Sequence, residues 1–439
     1  MRCLFVMPDH PVSPNTPGGG PVVMYAHLEL MAHAGVEIHL LLLRQPHRPL
    51  GFEEYVVDQA EAWSRVDGWC ASHSVFDLSG ADPSADSYRG RLARSRGVAA
   101  GARRFAAAVR DPFSQFPIAS DSTNLRAMER FVKSVDPHLV WAENLLPAVI
   151  VRRAARGVPM VYGHHDWIWR ILQLNDAPGM RGIRGEVNTR LYRRAEELLV
   201  REVDGCVSPS AEETKQLRLL NRHVAYLPPT YTPHDEDGFS TRPVPPRIVH
   251  LGDMRTVASR VGLERFLDVV WPALRAGFDR TPELVVIGSL EGAAESLRES
   301  LSEANAFCPG FVQDLSTIMR PYDIHVIPWE HRTGSRTRVP LALNYSQVVV
   351  STRAAVAGLP ELTDGEDCVL VDELSSMAET VRGLVADEAR RLRIGRSGRT
   401  TFMKHFTREG VQPRFDRFVG AFECRHDVVD TADGQTPGL

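Results

Sequence analysis

The sequence predicts an α/β protein of two doubly wound parallel-sheet domains joined by one linker. Three observations carry this. Short β-branched or leucine-rich runs alternate with helical stretches through both halves of the chain, the pattern of parallel strands joined by crossover helices. The clearest break is the linker 231–246, inside a stretch from Pro228 to Pro246 that holds six prolines and the acidic cluster Asp235-Glu236-Asp237. Glycines and charged residues follow several predicted strands, and in such sheets ligands bind at the carboxyl ends of the strands.

In the first half, strands are expected at Arg2–Met7, Val36–Leu43, Leu139–Ala142 (ending at Glu143), Met160–Tyr162, Gly205–Ser208 and Val224–Leu227. Gly18-Gly19-Gly20 sits between the first strand and a helix marked by Met24, Leu28 and Met31, which Gly35 ends. Without a Cβ, that backbone can approach an anion closely, or can simply turn. Gly51 to Asp121 reads poorly. A helix is expected at Val98–Val109, and Trp63, Trp69 and Phe76 can serve either core packing or an acceptor cleft. Further helices are expected at Leu125–Val135, Arg152–Arg156, Glu186–Arg201 and Ala211–Leu220, the last with Ser210 as its N-cap.

Past the expected strand Met160–Tyr162 comes Gly163-His164-His165-Asp166. A neutral histidine exchanges protons near pH 7, and an adjacent carboxylate can orient it. The plainer alternative is a pair of loop histidines. A metal reading is weak, because adjacent His-His-Asp lacks a third spaced partner.

The second half is expected to hold strands at Ile248–Leu251, Leu284–Ile287, Phe311–Val312, Ile324–Ile327, Val348–Ser351 and Val369–Val371. Helices between and after them are expected at Gly262–Leu274, Ala293–Ala304, Asp314–Met319, Arg336–Tyr345, Met377–Val385 and Glu388–Ser397, with a last one at Thr407–Phe422. The segment Asp323–Leu359 is the centre of this half. Its strand–loop–helix order aims Arg336 and Arg338 at the carboxyl edge, a combination of fixed charge and helix N-terminus that suits a diphosphate. A solvated basic face is the competing reading.

Composition narrows the classes. A chain of 439 residues with 43% apolar and 24% charged residues is ordinary for a soluble multi-domain protein. A net charge of -4 argues against a nucleic-acid partner. Six scattered cysteines without ligand spacing are expected as free thiols in a reducing cytoplasm. No apolar run reaches about 18 residues, so no membrane span is expected. A homodimer is allowed but not specified.

Over roughly residues 247–405 the chain resembles the donor domain of family 4 glycosyltransferases. The likeness rests on His250-Leu251-Gly252, Gly262-Leu263-Glu264-Arg265-Phe266-Leu267, Leu284-Val285-Val286-Ile287-Gly288, Pro309-Gly310-Phe311-Val312, Val348-Val349-Val350-Ser351-Thr352 and Gly358-Leu359. In the first half, Gly18-Gly19-Gly20 and His165-Asp166 fall where that family has a glycine loop and a His-Asp pair. The resemblance implies the GT-B architecture. Residues 1–230 would form a Rossmann-like acceptor domain and 247–405 a Rossmann-like nucleotide-sugar domain. Residues 406–424 would form a helix returning to the first domain, and 425–439 a tail.

It also implies a retaining, metal-independent transferase with a GDP-, UDP- or dTDP-sugar co-substrate and a small acceptor, and no further cofactor. His165 and Asp166 become the catalytic candidates. Gly19, Gly20, Gly252, Arg255, Arg260, Phe311, Val312, Thr333, Arg336 and Arg338 become the donor-binding candidates. Arg336 and Arg338 would hold the diphosphate, Phe311 and Val312 the base, and Gly19 and Gly20 would reach the diphosphate across the cleft. Arg260 lies one residue before the family's phosphate-binding lysine position, which is Val261 here, and Arg255 can substitute. The family's glutamate pair falls on Thr333 and Leu341. That departure suggests specialised metabolism, and keeps two alternatives open: a non-catalytic nucleotide-sugar binder or partner subunit, and an epimerase or pseudo-glycosyl coupling enzyme on the same fold.

Overall fold

The computed structural model describes residues 1–9, 12, 19–44, 59–78, 106–116, 121–174, 182–235 and 245–432. Gly18, the start of the expected 98–109 helix, most of the linker and the last residues of the tail lie outside them. Residues 106–109 of that expected helix are helical, and the helix runs on to Arg110.

The first sheet has seven parallel strands: β1 (Arg2–Pro8), β2 (Glu37–Arg44), β3 (Cys70–Asp77), β4 (Leu139–Glu143), β5 (Met160–Gly163), β6 (Gly205–Ser208) and β7 (Val224–Tyr226). Their order is β3-β2-β1-β4-β5-β6-β7. The second has six: β8 (Ile248–Leu251), β9 (Leu284–Ile287), β10 (Phe307–Gly310), β11 (Ile324–Ile327), β12 (Val348–Thr352) and β13 (Val369–Val371), in the order β10-β9-β8-β11-β12-β13. Each order reverses once, between β1 and β4 and between β8 and β11. At a reversal the flanking loops diverge and leave a crevice beyond the carboxyl ends.

Around the first sheet lie α1 (Gly19–His33), α2 (Gln59–Trp69), α3 (Ser122–Val135), α4 (Leu145–Ala154), α5 (Ile168–Leu174), α6 (Gly182–Glu202) and α7 (Ala211–Leu217). Around the second lie α8 (Val257–Arg265), α9 (Trp271–Ala276), α10 (Glu295–Glu303), α11 (Arg338–Asn344), α12 (Met377–Ala386) and α13 (Glu388–His405). A π-helical turn, Phe266–Val270, makes α8 and α9 one continuous rod. Local chemistry sets the ends: the Asp121 carboxylate accepts from the Thr123 and Asn124 amides at the start of α3, and Asp136 ends it in the left-handed region at φ 48°.

The final helix, α14 (Arg408–Ala432), starts at the second domain and lies on the first sheet. Phe415 and Phe418 put their rings 5.9 and 6.1 Å from that of Trp141, and Gln412 Nε2 donates to the Leu30 carbonyl at 3.0 Å. Burying four such side chains, Phe415, Phe418, Val419 and Phe422, contributes about 1.5–3 kcal/mol each, so the domains are joined by a core as well as a linker.

Several elements differ from those expected. Gly19 and Gly20 are not a loop before α1; they are its first turn. The expected strand at Phe311–Val312 lies earlier, at Phe307–Gly310, and Phe311 and Val312 follow it. Pro309 lies within β10, which is an edge strand, where a missing amide is tolerated. Gly310 then turns out of it at φ +77°. The expected 314–319 helix is only a 3₁₀ turn, Leu315–Thr317. Arg336 precedes α11 rather than starting it. The pair α2–β3 lies in the stretch that read poorly, because Ser72, His73 and Ser74 mask the alternation of this edge strand. Trp69 packs 5.3 Å from the Tyr25 ring and Phe76 against the first core, so both serve packing. Part of the expected loose tail, up to Ala432, is helical.

Candidate active site

At the carboxyl edge of the first sheet, four elements present polar groups: the α1 start, Glu143 ending β4, His164-His165-Asp166 after β5, and Glu213 in the first turn of α7. From the second domain come Gly252 after β8, the loop 330–337 after β11, and Gly358 after β12. The two edges touch. The Gly334 amide donates to Glu213 Oε1 at 3.0 Å, and the Ala211 amide donates to the Gly358 carbonyl at 2.9 Å. A Cβ on Gly19 would lie 3.0 Å from the Thr337 side chain.

His165 Nε2 lies 2.6 Å from Glu143 Oε2, so the carboxylate that orients it comes from the neighbouring strand. This corrects the expectation that Asp166 would do so. Asp166 turns instead toward Gly334, where an added Cβ would sit within 1.8 Å of its Oδ1. The other oxygen of Glu143 lies 2.6 Å from both His27 Nδ1 and Trp141 Nε1. Burial alone would raise the Glu143 carboxyl, but His27 and His165 outweigh it and hold the group well below the usual range. Glu143 is therefore a buried anion.

A second cluster crosses the domain boundary. Asp166, half-buried, and Glu213, buried, share the electrostatic field of Arg336. Burial raises the Asp166 carboxyl, and Arg336 and His165 offset part of that. Burial and then Asp166 push Glu213 up from 4.5 to about 8, despite the Gly334 amide and two arginines. Desolvation and mutual repulsion of the two carboxylates outweigh these cations and leave a proton on the pair at neutral pH. His164, driven down to about 3 by burial, is neutral, and its Nδ1 lies 3.5 Å from Glu213 Oε2.

The consequence is a pH dependence with a defined sign. A folded state that keeps Glu213 protonated is fully favoured below the unfolded value of 4.5 and loses that advantage as pH rises toward about 8. Each such proton contributes a slope of about 1.4 kcal/mol per pH unit at its steepest. Glu196 is raised to about 8 by burial as well. The comparison that isolates Glu213 is thermal denaturation of wild type and Glu213→Gln from acid to mild base. The variant is expected to lose part of the decline between those pH values; identical profiles would remove Glu213 as the group responsible.

Arg338 is 8% exposed and lies beneath the Gly252 turn. Its Nη1 donates to the Leu251 carbonyl at 2.6 Å and lies 3.4 Å from His250 Nε2. Burial and then Arg336 lower Arg338 to about 9, which leaves it cationic at pH 7. Burial keeps His250 neutral, able to accept from it. Arg336 lies with its guanidinium carbon 5.6 Å from the Trp329 ring centroid and donates to the Thr333 carbonyl. Thr333 is buried and its hydroxyl accepts from Trp329 Nε1 at 3.2 Å, so it braces the loop.

The remaining candidates scatter along the second domain's rim. Arg255 pairs with Asp253 at 2.9 Å and with Glu291 at 3.4 Å. Arg260 approaches Glu264 at 3.9 Å on its own helix. Phe311 and Val312 follow the β10 edge, and Val312 packs against the buried cluster of Val249, Val285, Ile287, Met319 and Tyr345. Glu143, His27, Glu213 and His250 were not singled out by sequence. Glu143 at a strand end and the Ser210-x-x-Glu213 capping pattern were the available signals.

Two parallel-sheet domains with their switch points opposed, a histidine on one side and arginines on the other, define a GT-B glycosyltransferase. Residues 18–230 match the family described as a glycosyl transferase 4-like domain, and residues 245–387 match that described as glycosyl transferases group 1. The chain belongs to this glycosyltransferase family and is a nucleotide-sugar-dependent enzyme of the GT-B class.

Solved structures share the fold over nearly full length. Sucrose-phosphate synthase from Thermosynechococcus elongatus is 15% identical with a TM-score of 0.65, covering 97% of this chain and 100% of that one. HepE from Anabaena, in complex with UDP and glucose, is 12% identical with a TM-score of 0.60, covering 96% and 100%. A glycosyltransferase from Rickettsia africae is 10% identical with a TM-score of 0.62, covering 96% and 98%. No curated protein sequence matches the chain. Among the described residues, no group of three or more His, Cys, Asp or Glu side chains is placed to hold a metal ion, and no helix is long and apolar enough to cross a membrane.

Proposed function

We propose that this enzyme moves a sugar from a nucleoside diphosphate sugar to a small hydroxyl- or thiol-bearing acceptor with retention of anomeric configuration, in specialised metabolism of the cytoplasm. One observation carries the retaining reading: the carboxylate that touches His165 is committed. Glu143 is bound by two histidines and a tryptophan, and Glu213 accepts from the Gly334 amide. With Glu143 engaged, the departing diphosphate serves as the base for the acceptor proton, on the face from which it leaves. Arg336 and Arg338 would steady its charge. Thr333 and Leu341, in place of a carboxylate pair, favour a specialised donor or acceptor.

Thermal shift with UDP, GDP, dTDP and ADP would identify the base, since a nucleotide that binds the folded state raises Tm. The complex of HepE makes UDP the first to try. Proton NMR of the product would then read the anomeric configuration. Retention is expected; inversion would sink the mechanism, and no nucleotide shift at all would favour a non-catalytic partner subunit.

A further inference from the structure

Glu143 is 0% exposed, yet among the described residues it is met by three N–H groups and pairs with no arginine or lysine. Parallel pairing sets Glu143 opposite Gly163, and a Cβ on Gly163 would lie 2.3–2.8 Å from the carboxylate atoms. The residue before the histidine pair must therefore be glycine for the carboxylate to pass and reach His165.

That geometry dictates where hydrogens lie. An anionic carboxylate only accepts, so His165 must donate from Nε2, His27 from Nδ1 and Trp141 from Nε1. In neutral His165 the lone pair then sits on Nδ1. This atom lies 3.8 Å from the Cβ position of Gly20, and so faces the first turn of α1. His27 is on the same helix and only 2% exposed, and its Nε2 is buried without a hydrogen-bond partner.

We propose that Glu143, braced by His27 and Trp141, is the positioning residue of the transfer reaction: it fixes His165 as the Nε2–H tautomer, so that Nδ1 is a hydrogen-bond acceptor beside the α1 N-terminus. The chemistry that fits this acceptor is a hydroxyl group of the bound sugar or acceptor, which donates to Nδ1. It is the opposite of a histidine that donates to phosphate oxygens at that atom. The role at the substrate rests on His165 being the catalytic candidate of the transfer reaction proposed above, but the assignment of its tautomer does not.

The direct test is nitrogen-15 NMR of histidine-labelled wild-type enzyme, with the His165 signals assigned from their loss in His165→Asn. An unprotonated Nδ1 and a protonated Nε2 are expected. A proton on Nδ1 would overturn the proposal, whatever the reaction proves to be. A kinetic test uses Glu143→Gln, whose amide donates to Nε2 and drives the hydrogen to Nδ1. It is expected to lower kcat about 10²-fold or more while donor Kd stays within about threefold, and Glu143→Asp is expected to recover part of kcat with the tautomer kept. Unchanged kcat, or kcat and donor affinity falling together with Tm, would reduce Glu143 to a packing role. An inverted product with the expected tautomer would refute the retaining mechanism and leave this assignment standing.

Discussion

Gly334→Ala is expected to lower kcat/KM at least about 10²-fold, with a much smaller change in Tm. Gly334 sits at φ +56°, in the left-handed region that an alanine adopts only at a cost of about 1 kcal/mol. The larger effect is contact. An added methyl would stand 1.8 Å from Asp166 Oδ1, so the Asp166 carboxylate must rotate away, the loop 330–337 must shift from the first domain, or both. The bond from the Gly334 amide to Glu213 would stretch with them. Arg336 lies in this loop and Arg338 directly follows it; if they hold the diphosphate as proposed, a displacement of about 1 Å can cost about 10²-fold in rate. Neither sheet's core is touched, which is why Tm should hold. Kinetics beside a melting curve decides it; near-normal turnover would mean that the domains work without this contact.

The second large effect is expected at Arg338. Arg338→Ala should weaken nucleoside diphosphate binding by about 10–100-fold, the range for charge-assisted hydrogen bonds of about 1.5–3 kcal/mol. The structure adds a second cost, because the same guanidinium satisfies the Leu251 carbonyl at 2.6 Å. Leaving that carbonyl unpaired under the Gly252 turn should cost about 1–3 kcal/mol of stability. The two costs separate in calorimetry with the nucleotide across a salt series, compared with Arg338→Lys. Lysine restores the charge but not the planar fork, so it should recover part of the affinity and little of the stability. Donor affinity unchanged in Arg338→Ala would remove Arg338 from the diphosphate site and leave it a structural strut.

Much of this molecule is legible without coordinates. Strand and helix periods are local, so the alternation through Arg2–Met7, Val36–Leu43 and Ile248–Leu251 predicts parallel sheets before any packing is known. The rule that ligands gather at the carboxyl ends of such strands then draws attention to His165, Asp166, Arg336 and Arg338. Where local signals are weak the reading fails, as at β3, whose polar alternation looks like a loop, and at β10, whose Pro309 is tolerated only because that strand is an edge.

What the sequence by itself determined is the architecture and the edge on which chemistry gathers. Partnership was decided only by tertiary structure. Asp166 adjoins His165 in the chain but points across the cleft, while Glu143, 22 residues earlier, reaches His165 because β4 and β5 pair in register with Gly163 between them. Glu213 has the sequence of a helix cap, yet its carboxylate binds an amide 121 residues away in the other domain. Hydrogen bonds and ion pairs act over about 3–4 Å in space, and strand register and domain closure bring chain-distant groups that close. No period or spacing along the chain encodes that distance.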